Sequence, residues 1–210
     1  MESNIAIVTF LIIGITCIFS ILAFNNRAIF QKYIFNAYAL NHDKKQWYRF
    51  FTHAFLHADY MHLFFNMFVL YSFGSILENY FFKMYFGEKS EFYFILLYVG
   101  GIMISTFPSF EKNKNNPNYN SVGASGAVSA IVFSSILMGP KMPLNILFLP
   151  IDIPAYIFGV FYLAYEWYMD RRKSDNIGHD AHFWGAVFGF VFTIILKPSL
   201  FLAFIQQIIG

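Results

Sequence analysis

Apolar stretches about as long as a membrane-crossing helix alternate with short charged or proline-bearing segments, and this alternation predicts six spanning helices. Residues 5–24 carry no charge, have no Lys or Arg ahead of them and lack a small-residue exit, which predicts a retained first span and not a cleaved signal peptide. A long connection follows over 25–50, where Arg27, Lys32, Lys44, Lys45 and Arg49 mix with Phe30, Tyr33, Phe35, Trp47 and Tyr48 as at a membrane interface. The second span is predicted over 60–77, ending at Glu78, and the third over 92–107, stopping at Pro108. The fourth, 125–138, is closed off by Gly139 and Pro140. At 1.5 Å per residue it covers about 21 Å, less than the ~30 Å hydrocarbon core, so it begins below the membrane surface. Residues 143–153, cut by Pro150, read as a loop or shallow insertion. Pro154 opens a fifth helix reaching Tyr168, and a polar link leads to a sixth over 182–196, stopped by Lys197 and Pro198. The tail FLAFIQQIIG is expected on or in the membrane.

In a serpentine chain every even-numbered helix starts on the same side. Ser125 starts the fourth helix, His182 the sixth, and His53, His57, His62 and Asn66 gather around the start of the second. Six polar groups from three separate stretches are therefore expected on one face at shallow depth.

Composition supports this reading and narrows the function. Among 210 residues 58% are hydrophobic and 12% charged, against about 25% charged in soluble domains. Little chain remains outside the spans, so residues 1–210 form a single membrane domain. A net charge of +2, with scattered bases, argues against a nucleic-acid partner. The lone Cys17 lies in an apolar run and supplies no disulfide framework.

The candidate chemistry centres on SVGASGAVSA, residues 121–130. Ser125 sits among residues too small to cover it, where a polar loop becomes an apolar helix. Gly123 permits positive φ and close backbone approach. The free N–H groups and positive dipole of a helix start would meet an oxyanion formed beside Ser125. The same GASGA is equally a packing patch of the small residues that membrane helices use. Gly126, Ala130 and Ser134 recur every four residues on the fourth helix, as Gly185 and Gly189 do on the sixth. His182, three residues before Gly185, shares that face, so the contact joining the helices would bring an imidazole base towards a hydroxyl nucleophile. Taken alone, His182 is as well explained by a bond to a loop carbonyl. No acidic third member can be placed: Asp180 falls on the opposite face, and Glu166 has the correct side but no position. A Ser125–His182 dyad is therefore expected.

His53, His57 and His62 invite a metal reading, since His at i and i+4 share a helix face, but the acid of an HExxH site is missing, and no metal or cofactor is expected. Asn66, one turn beyond His62, is either an oxyanion donor or interhelical glue.

These residues together resemble the rhomboid family of intramembrane serine proteases over roughly residues 48–189. The family's pattern of His, three residues, His, four residues, His, three residues, Asn is met by His53, His57, His62 and Asn66; GxSGA by Gly123, Ser125, Gly126 and Ala127; AHxxGxxxG by Ala181, His182, Gly185 and Gly189. The resemblance implies an all-α membrane protein, a six-helix bundle whose short central fourth helix starts at the nucleophile. It implies Ser125 as nucleophile and His182 as base, with His62, Asn66 and the N–H groups of Ala124 and Ser125 as oxyanion hole. His53, His57 and Gly123 would be structural or water-retaining, as would Arg49 and Glu78 be structural. Two positions depart from the pattern: Tyr48 stands where many members have Trp, and Ser129 where some have an aromatic supporting the histidine.

The expected activity is cleavage of peptide bonds in or near transmembrane segments of single-span proteins. The competing classes are a rhomboid-like protein that binds clients without cutting them and, more remotely, a transporter. The location expected is a bacterial inner membrane. Ten of 14 Lys and Arg lie in the first, third and fifth loops. The positive-inside rule would thus put the site in the cytoplasm, whereas the resemblance implies an outward-facing site, the placement adopted because the first loop reads as interfacial.

Overall fold

Runs of apolar residues free of breakers become helix, and in the computed structural model, which describes residues 5–145, 152–172 and 177–210, helices dominate the chain. The first, α1 (Ile7–Phe24), has no side-chain cap of its own. Glu78 supplies one from 69 residues away. Its Oε1 accepts from Val8 N–H at 2.9 Å, and its Oε2 from Thr9 N–H at 2.8 Å and Thr9 Oγ1 at 2.7 Å. The residue is 2% exposed. An acid at the end of an apolar run is thus accounted for: it satisfies the unpaired first-turn N–H groups where water is scarce.

Residues 25–59 fold into short pieces: α2 (Arg27–Tyr33), β1 (Phe35–Asn36), α3 (Ala37–His42), a 3-10 turn (Lys44–Tyr48), α4 (Arg49–Thr52) and a second 3-10 turn (His53–Phe55). Arg49 clamps them, donating to the carbonyls of Gln31 at 3.0 Å and Ile34 at 2.7 Å and to Gln46 Oε1 at 2.8 Å. β1 pairs antiparallel with β2 (Asn120–Ser121), Phe35 opposite Ser121. The first loop is thereby tied to the segment that leads into Ser125.

The second apolar run extends past Glu78. α5 (Tyr60–Val69) continues through π turns at Leu70–Gly74 and Leu77–Phe82 into α6 (Lys83–Phe86), and the chain turns at Gly87, φ 56°. α7 (Ser90–Asn113) passes through Pro108 where a stop is predicted. Packing overrides the breaker: Ser109 and Phe110 are buried, Phe110 among Phe35, Phe50 and Leu40, and Ser109 Oγ donates to Asp180 Oδ2 at 2.7 Å.

α8 (Ser125–Met138) is the centre of the molecule, with every residue after Ser125 buried. β3 (Pro143–Asn145) pairs antiparallel with β4 (Asp152–Pro154). The intervening part of the expected loop, with Pro150, lies outside the described residues. α9 (Ala155–Arg172) runs four residues beyond the predicted end, and α10 (His179–Leu196) starts three residues before His182. α11 (Ser199–Ile209) holds the apolar tail against α8 and α10. Part of the polar link, Lys173 included, lies outside the described residues.

Among the described residues, three apolar helical stretches are long enough to cross a membrane: Ile7–Phe24, His179–Leu196, and Tyr60–Asn113, which the Gly87 turn divides. Ser125–Met138 is shorter, as expected.

Candidate active site

The small-residue stripes meet in register. A methyl group on Gly185 would fall onto the Gly126 carbonyl, and one on Gly189 onto the Ala130 backbone. Ser134 Oγ and Thr193 Oγ1 complete the row at 2.7 Å. α10 thus lies on α8 backbone to backbone, and His182 sits one turn from the crossing that Ser125 adjoins. Ser125 is partly exposed while its neighbours Ala124 and Gly126 are buried. Among the described residues no hydrogen bond joins Ser125 Oγ to His182.

Gly123 takes φ 120°, the positive value anticipated for it, and its N–H donates to the His53 carbonyl at 3.0 Å. A Cβ here would lie 2.9 Å from His62 Cε1 and 3.8 Å from Ser125 Oγ. His62 therefore reaches the loop before Ser125 across the bare face of this glycine. Its Nδ1 accepts from Ala58 N–H at 3.4 Å, which leaves the proton on Nε2, a donor on the Gly123 side. His62 and His182 are near enough to feel each other electrostatically, so α5 and α10 approach one another here. Asn66 is 8% exposed, and its amide donates to the His62 carbonyl at 3.1 Å, holding the turn that carries this imidazole.

His53 and His57 bond to different helices. His53 Nε2 pairs with Thr106 Oγ1 at 3.1 Å, and its ring meets Phe35 edge-on at 5.5 Å. His57 Nδ1 lies 3.0 Å from Ser20 Oγ, whose proton goes to the Phe55 carbonyl at 2.8 Å. His57 is therefore the donor in that pair, and its Nε2 is a bare acceptor, buried without a protein partner beside the His62 ring.

An acid that the sequence could not place does reach His182. Glu166 on α9 places Oε1 3.1 Å from His182 Nδ1 and Oε2 2.5 Å from His179 Nδ1. Asp180 points away to Ser109, as its spacing indicates. The Glu166, His179 and His182 ligand atoms lie within 4.8 Å of one another, two imidazoles and a carboxylate that could also hold a divalent transition metal. Ser129, at the departure from the family pattern, bonds Tyr162 Oη on α9 at 2.8 Å. An aromatic thus arrives from α9 where none stands on α8. His179 was not singled out from sequence, although His179 and His182 at i, i+3 share a helix face.

A family model described as Rhomboid domain matches residues 44–199. The chain belongs to the rhomboid family. It is similar to RHOMBOID-like protein 12, mitochondrial, of Arabidopsis thaliana, with 29% identity over 142 residues, 64% of this chain and 42% of that protein. The chain thus matches under half the length of that relative. Rhomboid membership and the apolar helices identify an all-α, multi-pass integral membrane protein.

The loop histidines of this rhomboid should make its fold sensitive to acid. Burial lowers His53 to about 4, and burial with the neighbouring His62 lowers His57 to about 3. Unfolded histidines take a proton near pH 6.5, so between that pH and about 4 the unfolded state binds more protons than the folded one. Their stabilising contribution is complete above about pH 6.5 and is lost as pH falls, at up to about 1.4 kcal/mol per pH unit for each ring. Thermal melting of the detergent-solubilised protein should decline from pH 7 to 4.5, and His57→Asn should remove one ring's share of the slope. Equal slopes for the two proteins would rule out the assignment to His57.

Proposed function

We propose that this chain is an intramembrane serine endopeptidase that cuts peptide bonds in or near transmembrane segments of single-span proteins. The spans would be α1, α5 with α6, α7, α8, α9 and α10, six in all, in a bacterial inner membrane with the site facing outward. The observation that carries this reading is the backbone contact of Gly126 with Gly185, which sets the Ser125 turn against the His182 turn beside His62.

In the proposed reaction Ser125 Oγ attacks the scissile carbonyl carbon while His182 Nε2 takes the hydroxyl proton. The resulting oxyanion meets His62 Nε2–H and the free N–H groups of Ala124 and Ser125 at the start of α8, with Asn66 holding the His62 turn. His182 returns the proton to the leaving amine, and an acyl-enzyme on Ser125 remains. Water then attacks the acyl carbon with His182 as base, the bond to Ser125 Oγ breaks, and His182 returns the proton to that oxygen as the carboxylic acid leaves. The buried, unpaired His57 Nε2 supports a water site next to His62, and His53 ties that loop to Gly123. Apo distances between nucleophile and base commonly tighten only when substrate binds. The substrate helix must unwind locally, since its carbonyls are otherwise hydrogen-bonded.

Two assays test the proposal. A fluorophosphonate should label the purified protein, and co-expressed tagged single-span proteins with helix-weakening residues should yield discrete fragments. Both signals should vanish in Ser125→Ala. Cleavage that survives Ser125→Ala would end the serine-protease reading; intact clients that co-purify uncut would favour a binding role.

A further inference from the structure

We propose that Glu166 is a positioning residue for His182, so that the site works as a Ser125–His182–Glu166 arrangement in which His179 shares the carboxylate. The inference rests on the protease reading above and extends it to the base.

The geometry has three parts. Glu166 is an acid in an otherwise apolar stretch of α9, and its side chain is 5% exposed, with His179 at 4% and His182 at 17%. An acid buried in a membrane helix requires partners, and here both carboxylate oxygens have one, each a histidine Nδ1. A carboxylate can only accept, so it takes the Nδ1–H of both rings. For His182 this fixes the tautomer: the proton stays on Nδ1, and Nε2 presents its lone pair on the opposite edge of the ring, where a hydroxyl proton can be received.

The third part is what holds the carboxylate. Tyr162, one turn before Glu166 on α9, interacts with it and bonds Ser129 on α8, one turn after Ser125. Nucleophile, base and acid are therefore coupled through three packed helices, α8, α10 and α9, and not through a loop. His179 occupies the second oxygen, so Glu166 cannot rotate away from His182 without breaking that bond.

In the reaction the Ser125 proton moves to His182 Nε2 and from there to the leaving amine. Glu166 neither gains nor loses a proton. It keeps the Nδ1–H bond throughout and offsets the positive charge that builds on the ring, which in a site of low dielectric is worth more than in water.

The test uses the full chain in proteoliposomes, with wild type, Glu166→Gln, Glu166→Asp and Ser125→Ala. Nitrogen NMR of histidine-labelled wild type should place the His182 proton on Nδ1; a proton on Nε2 would overturn the proposal, whatever the activity. For a single-span substrate, Glu166→Gln should lower kcat about 10²- to 10⁴-fold with KM within about threefold and thermal melting near wild type. Glu166→Asp should recover at least about tenfold over Glu166→Gln. Unchanged kcat in Glu166→Gln, or a loss that follows melting with no recovery in Glu166→Asp, would show a merely structural acid. If wild type shows the Nδ1 proton but no Ser125-dependent labelling or cleavage, the positioning stands and the protease reading fails.

Discussion

Alanine at Ser125, alanine at His182 and both together should reduce turnover of a single-span substrate to one shared floor, about 10⁴- to 10⁶-fold below wild type. A serine hydroxyl without a base is a poor nucleophile, and a base without the hydroxyl has no proton to take, so each loss removes the same step. The remaining rate would come from the His62 and backbone donors and from substrate binding, which neither substitution touches. The measurement is kcat for wild type, both single variants and the double variant in proteoliposomes. Multiplying losses, with the double variant well below either single one, would mean that the two residues act separately, and the pairing drawn from the α8–α10 crossing would be wrong.

Gly185→Val should prevent folding of most of the protein, and Gly185→Ala should cost about 3 kcal/mol or more, the upper end of overpacking penalties. The ordinary remedy for an added methyl group is a small shift of a neighbouring side chain. At Gly185 the neighbour is the backbone of Gly126, and α8 is buried along its length, so it has nowhere to move. Any displacement of that turn also moves Ser125. Melting in detergent and the monodisperse fraction after solubilisation report the first effect, and fluorophosphonate labelling of the surviving folded fraction reports the second. Gly14→Ala is the control, because a Cβ there meets nothing within 4 Å, and its melting should equal or exceed that of wild type. Wild-type melting in Gly185→Ala would contradict the backbone contact.

Much of this was legible in residue spacing. The four-residue stripes of Gly126, Ala130 and Ser134 and of Gly185 and Gly189 announce a close helix crossing, because few other residues let backbones touch. The short fourth helix was legible from Gly139 and Pro140, and the bend at Gly123 from its place before Ser125. Pro108 misled, since local breaker rules ignore the burial of Ser109 and Phe110 that carries α7 onward.

Sequence alone determined the membrane class, the extent of the apolar runs and which small and polar residues could share a helix face, because each depends on neighbours within a turn or two. The tertiary structure alone decided which acid meets which group. Glu78 caps a helix start 69 residues away, and Glu166 on α9 finds two imidazoles on α10. Such pairings follow from how far each helix is rotated and shifted against the next, a quantity fixed by the sum of many packing contacts and written in no single stretch of chain.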